Sequence, residues 1–297
     1  MCLYGHTICC QPPETISIHR FPHLLIDVRT PDRPYIVLNH EFYRRQPAYA
    51  TLSHRWDDHS MPKLLRSNRR SYRRHIDRAL LPAVIWDAID ICHNLNIGYL
   101  WIDAVCFVQD DKADCAREIE NMGDIYRYAF CNFSAVAARQ AYRDECYGLL
   151  ESWQLQLMDQ DLMKRGWVLQ ERLLRSRIVH FGYHLSWECS EVLANELFPH
   201  GVPTSNHWDP FTLRWGIQDR IHLYWFDLVE RYTACKLTFE QDKLPAISEL
   251  ARKFGEVLED VYLAGLWRSN LPQGLMWRPI TSPARHRPSS YRGMKVP

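Results

Sequence analysis

The stretch Pro82-Ala83-Val84-Ile85-Trp86-Asp87-Ala88-Ile89-Asp90-Ile91-Cys92-His93-Asn94-Leu95-Asn96-Ile97-Gly98-Tyr99-Leu100-Trp101-Ile102-Asp103 carries the fold class. Its first half repeats apolar residues at helical spacing through Val84, Ala88, Ile91 and Leu95, with a proline in the opening turn and Gly98 beyond the end, where a left-handed cap would sit. Its second half, Tyr99 to Ile102, is an unbroken apolar run that meets a carboxylate at Asp103. That is the pattern of a strand covered on both faces whose last residue emerges at the carboxyl edge of a sheet.

The same helix-then-strand wording continues downstream. Asp114 is placed to cap a second helix, with Ile119, Met122, Tyr126 and Ala129 on one face, and Phe133 to Ala137 supplies the next strand. A short helix is expected over Gly166 to Leu174, with strands over Ile178 to Phe181 and Leu185 to Cys189. Upstream, Leu24 to Val28, Tyr35 to Leu38 and Tyr49 to Leu52 are short β-rich runs, the last opening into a polar loop. Strands alternating with helices predict an α/β fold: a mostly parallel sheet flanked by helices, TIR-like or flavodoxin-like in layout.

After Leu197 the texture changes. Pro199, Gly201, Pro203 and Pro210 mark a connection, then Ile221, Trp225, Leu228 and Tyr232 trace one amphipathic helix, and Lys243 to about Leu258 another. Residues 1–200 are therefore expected to form the α/β domain and 201–278 a helical C-terminal region. Residues 279–297, with four prolines, four basic residues and no acid, are expected to form a flexible basic tail.

The 297 residues carry 36 Lys plus Arg against 35 Asp plus Glu, so a net charge of +1 gives no global attraction to nucleic acid or to an anionic bilayer. No apolar stretch approaches the ~18 residues a membrane crossing needs, and Met1 to Pro13 lacks the order of a secretory leader, so a cytoplasmic location without membrane partners is expected. The ten cysteines lack framework spacing and are read as free thiols. Cys2, His6, Cys9 and Cys10 lack paired metal-site geometry, so no metal is expected. Lys63 to Arg78 holds seven basic residues and one acid, Asp77; without interleaved aromatics other than Tyr72 it reads as a solvated face rather than a nucleic-acid surface.

Four blocks stand in order: Tyr49-Ala50-Thr51-Leu52-Ser53-His54-Arg55-Trp56; Leu81-Pro82 through Tyr99-Leu100-Trp101-Ile102-Asp103-Ala104-Val105-Cys106; Glu118 through Met122-Gly123-Asp124-Ile125-Tyr126; and Arg165-Gly166-Trp167-Val168-Leu169-Gln170-Glu171-Arg172-Leu173-Leu174. Together they resemble the HET domain, the heterokaryon incompatibility module of filamentous fungi. The resemblance covers about Leu24 to Cys189, and Leu237-Thr238, Asp242 to Ile247 and Ala264 to Trp267 look like the region that commonly follows it. Two departures stand out: Trp56 is followed by Asp57 rather than glycine, and Phe107-Val108 precede Gln109.

The resemblance implies a cytosolic part in programmed cell death and allorecognition, with self-association or another incompatibility protein as partner. It also implies a distant similarity to TIR modules, whose enzymatic members cleave NAD between nicotinamide and ribose. TIR modules carry a tryptophan four positions before a catalytic glutamate, and Trp167 and Glu171 stand at that separation, although Val168 replaces the usual cysteine. One carboxylate is chemically adequate here, because nicotinamide leaves as a neutral molecule and needs no acid; two are the rule for ordinary glycosides. NAD would thus be a substrate, and no cofactor is expected.

Around that carboxylate, Ser53, His54, Arg55 and Trp56 lie where a strand empties into a loop, the usual place for ligand contacts in an open α/β sheet. Arg55 is read as a phosphate or carboxylate binder, Trp56 as a stacking surface, Asp103 as a ribose-hydroxyl acceptor and Trp167 as an aromatic wall. Two alternatives remain open. Glu171 could pair with Arg172, Arg175 or Arg55 and merely fix a loop, giving a non-catalytic self-associating module. Cys106, with His54, could be the nucleophile of a hydrolase, transferase or biosynthetic enzyme on the same scaffold.

Overall fold

In a computed structural model the described residues are 20–42, 46–55, 61–136, 160–182, 184–189, 191–201 and 221–276. The chain divides into two compact units. The first comprises 1–163 and 174–207, the second 164–173 and 208–297.

The first unit is built on an eight-stranded sheet in the order β2-β1-β4-β3-β5-β6-β7-β8. The strands are β1 (Leu24–Asp27), β2 (Tyr35–Leu38), β3 (Tyr49–Ser53), β4 (Tyr99–Trp101), β5 (Cys131–Ala135), β6 (Arg177–Phe181), β7 (Leu185–Cys189) and β8 (Leu193–Asn195). The centre is parallel: β3 pairs β4 with Thr51 opposite Trp101, β3 pairs β5 with Ser53 opposite Ser134, and β5 pairs β6. Both flanks are antiparallel, β1 with β2 and β4, and β7 with β6 and β8. The α/β expectation holds, with a parallel core inside a mixed sheet. Hairpins at either margin, which strand–helix alternation does not foretell, supply the antiparallel pairs other than the long-range β1–β4 pair.

Helix α1 (Arg69–Tyr72) is one turn in the loop after β3; α2 (Ala83–Asn94) leads into β4 and α3 (Lys112–Tyr128) into β5. Helix α2 buries Ile85, Trp86, Ala88, Ile89 and Cys92, a seam rotated from the one expected at Val84, Ala88, Ile91 and Leu95, and Leu95 is exposed. Its left-handed residue is Asn96 (φ 55°) rather than Gly98. Asparagine tolerates that conformation because its short side chain can bond locally. Helix α3 is capped by Asp111, whose Oδ1 accepts the Ala113 and Asp114 amides, so Asp114 lies in the first turn. There Asp114 Oδ2 accepts the Val108 amide at 2.7 Å and fixes the loop entering the helix. On the sheet side α3 buries Met122, Ile125 and Tyr126, with Tyr126 edge-on to Trp101 at 5.4 Å.

The second unit is helical. Helix α4 (Gly166–Leu173) groups with α5 (Ile221–Ala234), α6 (Pro245–Leu258), the hairpin β9 (Tyr262–Leu263) and β10 (Leu266–Trp267), and α7 (Leu271–Gly274). Gly166 opens α4 where a Cβ would stand 2.7 Å from Leu237 Cδ2 and 3.1 Å from Tyr232, and its amide bonds Lys236 O at 2.9 Å. Trp225 gathers Phe254, Tyr262 and Trp267 edge-on within 5.1–5.6 Å and donates to Gly265 O at 2.9 Å. Ala264 and Gly265 both take positive φ, as a two-residue hairpin turn of this hand demands.

Candidate functional site

Strand order reverses at β3. The chain steps from β3 to β4 on one side, then crosses back so that β5 pairs with β3 on the other. In open α/β sheets the helices diverge at such a point and leave a crevice outside the carboxyl ends of the two strands. Ser53, His54 and Arg55 occupy that end of β3. Because Thr51 is opposite Trp101, Asp103 emerges from β4 at the level of Ser53.

Ser53 and His54 are buried where the strand leaves the sheet. Arg55 is exposed and pairs with Asp161 at 3.0 Å; both side chains are 65 % exposed, so the pair contributes little and is readily exchanged for another anion. Asp103 is half-buried, its Oδ1 accepts the Ala104 amide at 2.8 Å, and its carbonyl accepts Gln109 Nε2 at 2.9 Å, a loop-capping arrangement. Trp56 lies outside the described residues, as do Cys2, His6, Cys9, Cys10 and the tail 279–297.

Behind this edge one face of the sheet is polar. Asn132 and Ser53 meet the side chain of Arg175, which donates to Ser53 Oγ at 3.1 Å and stacks on the Tyr126 ring at 4.5 Å. With the Asn132 amide nitrogen turned toward Thr51, it donates to Thr51 Oγ1 at 2.7 Å and Thr51 O at 3.0 Å, and the amide oxygen accepts from Arg175 Nη1. The face continues as a register row, Ser53 opposite Ser134, Ser134 opposite His180, His180 opposite Ser186 and Ser186 opposite Asn195. His180 Nε2 and Glu188 Oε2 approach to 3.0 Å in the buried part of this row. A polar row through a sheet interior is costly unless bonded, and these contacts supply the bonding.

Asn132, Ser134, Arg175, His180 and Glu188 were not singled out from sequence as site residues. For Asn132, Ser134 and His180 the signal was the alternation of polar with apolar positions inside Cys131-Asn132-Phe133-Ser134-Ala135 and Arg177-Ile178-Val179-His180-Phe181, which a search for apolar runs passes over.

Cys106 is fully buried in the turn after β4, accepting the Ile102 amide at 3.3 Å and facing Leu100 O at 3.8 Å. Burial pushes its thiol far up, so it stays protonated at neutral pH and lacks the thiolate a nucleophile needs. The six cysteines among the described residues are free thiols. Among the described residues no group of three or more His, Cys, Asp or Glu side chains is placed to hold a metal ion, and no helix is long and apolar enough to cross a membrane.

Trp167 and Glu171 belong to the second unit, one helical turn apart on α4. Trp167 Nε1 donates to Asp242 Oδ2 at 3.3 Å, and Gln170 Oε1 accepts the Glu249 amide at 3.3 Å, so α4 is fastened along its length. Glu171 is 7 % exposed and its neighbour Arg172 is likewise buried.

The first unit is thus of a definite class: an α/β domain with a central order reversal and a polar carboxyl edge. Residues 49–152, from β3 through β5 and just over a third of the chain, match the family described as Heterokaryon incompatibility protein (HET). The match supports a function of the heterokaryon-incompatibility type in general. No curated protein and no solved structure matches the chain.

Proposed function

We propose that this protein is a heterokaryon-incompatibility effector whose chemistry is cleavage of the nicotinamide–ribose bond of NAD. The observation that carries the reading lies in the first unit. The strand-order reversal at β3 sets Ser53, His54 and Arg55 at the position where open α/β sheets take nucleotide ligands, level with the Asp103 carboxylate. In this reading Arg55 exchanges its exposed partner Asp161 for a diphosphate oxygen, and Asp103 accepts from a ribose hydroxyl.

The resemblance assigns the bond to the Glu171 carboxylate, four residues after Trp167. As the C–N bond breaks, its electron pair stays with nicotinamide, which leaves neutral. The ribosyl cation, opposed by the carboxylate, then takes water and releases one proton.

The test is release of nicotinamide from NAD by the full chain, followed by chromatography, with Glu171→Gln as the variant. Loss of roughly 10²-fold or more is expected, the scale of removing one preorganised electrostatic group. Equal rates for both proteins, or no nicotinamide under conditions where NAD binding is measured calorimetrically, would sink the catalytic reading. The second reading, a module that signals by association alone, is favoured by the burial of Glu171 beside Arg172. Under it Glu171→Gln preserves cell killing.

A further inference from the structure

The run Lys63 to Arg78 has no role in the reading above, and its geometry is informative. Leu64, Tyr72 and Ile76 are buried, and the segment is fastened by Leu64 N to Ala104 O at 3.0 Å, Gln109 N to Leu64 O at 2.8 Å and Ile76 N to Pro34 O at 2.8 Å. It is a rigid feature of the first unit. Three of its arginines have carboxylate partners: Arg66 with Asp111 at 2.9 Å, Arg73 with Glu41 at 2.7 Å and Arg78 with Asp32 at 3.8 Å. Arg70 and Arg74 are exposed and make no ion pair among the described residues. The bond from His75 N to Ser71 O continues the helical path past α1, so these two guanidinium stems stand one turn apart, about 6 Å along the axis.

The opposite charge stands uncompensated on the same unit. Asp87 and Asp90 are exposed on α2, about 4.5 Å apart along its axis, and neither makes an ion pair among the described residues. Like charges one turn apart repel, so each pair is a local cost to the helix that bears it. Both costs vanish if one patch meets the other across two molecules. The near-zero net charge leaves no long-range repulsion against that encounter.

We propose that the occupant of the Arg70/Arg74 patch is a second copy of this chain, presented through Asp87 and Asp90. Two-fold pairing uses both patches of each copy at once, since an isologous interface matches residue i to j and j to i. Nucleic acid fits less well: Tyr72, the aromatic within the run, is buried and offers no stacking face, and the aspartates would stay unmatched. The interface is electrostatic, hence weak and salt-sensitive. It is independent of Glu171 and of any NAD chemistry.

The experiment is sedimentation velocity on the full chain at about 0.01 M and about 1 M salt, between which the screening length falls from about 30 to about 3 Å. Three proteins are compared: wild type, Arg70→Asp/Arg74→Asp, and Asp87→Arg/Asp90→Arg. All four side chains are exposed, and matching circular dichroism melts establish that the variants fold. Wild type should associate at low salt and weaken roughly ten-fold or more at high salt, each variant alone should be monomeric, and an equimolar mixture of the two should associate again. Each of four results overturns the proposal: wild type that is monomeric at low salt, a variant that still self-associates, a mixture of folded variants that stays monomeric, or duplex DNA binding lost in the arginine variant and kept in the aspartate variant.

Discussion

Replacing Glu118 with glutamine should change how stability responds to pH. Glu118 lies on the buried side of α3 at 1 % exposure, and among the described residues neither carboxylate oxygen has a hydrogen-bond partner within the usual distance. Burial raises its pKa from 4.5 to about 7; Arg117, whose Nε is 4.0 Å away, and the His23 amide only partly oppose the shift. The unfolded chain ionises near 4.5 while the folded chain keeps the proton to about 7. Stability from this group is therefore full below pH 4.5, falls as pH rises, and is gone above 7. A shift of about 2.5 units at 1.36 kcal/mol each gives a loss of about 3 kcal/mol.

His23 works in the opposite sense. Burial first, then Arg117, Arg69 and His40, lower its pKa from 6.5 to about 4, so the unfolded chain binds more protons between those values and stability rises with pH there. In the wild type the two groups offset one another between about pH 4.5 and 6.5. The Glu118→Gln protein should show the His23 rise alone and gain about 3 kcal/mol on wild type between pH 4 and pH 8, read from urea denaturation at each pH. Parallel stability curves for the two proteins over that range would refute the reasoning, as would a Glu118 carboxyl that titrates near 4.5 by carbon NMR.

Other perturbations report on single contacts. Tyr49→Phe removes the buried bond from the Tyr49 hydroxyl to Ile125 O at 2.6 Å and should cost about 1–2 kcal/mol in urea melts, since the carbonyl loses its partner. Asp114→Ala strands the Val108 amide and deprives Arg117 of the nearer of its two carboxylates; a loss of about 2 kcal/mol is expected, with faster exchange of the Val108 amide proton. Gly166→Ala places a methyl group 2.7 Å from Leu237 and 3.1 Å from Tyr232, and should destabilise the helical unit by about 1–2 kcal/mol, read by limited proteolysis within 221–276.

The helix and strand in the run from Pro82 to Asp103 were legible because a long periodic segment leaves one arrangement that buries its apolar side. The finer features were not. The buried seam of α2 is turned toward Ile85, Trp86 and Ile89 because larger side chains claim the sheet, while Leu95 falls on the water side where the helix ends. Asp111 wins the cap of α3 because only it precedes the first helical turn, while Asp114 serves the neighbouring loop. The antiparallel pairing of β1 with β4 is a long-range choice that no local window encodes. The polar row from Ser53 to Asn195 exists only once five strands are in register, so its members read individually as ordinary strand residues. The position of Ser53 to Arg55 and Asp103 at the carboxyl edge was readable from where their strands end. Arg175 was not, because it reaches its partners from the foot of another strand.

Helix α4 leaves the first unit after residue 163 to pack with α5 and α6, and the chain returns at 174. No single cut divides such a protein. A fragment that stops near residue 207 keeps α4 but discards Tyr232 and Leu237, against which Gly166 is fitted, and so leaves a greasy splint hanging from an otherwise whole sheet. A piece meant to keep Glu171 must retain α5 and α6 with it, because excising 164–173 removes that carboxylate along with α4.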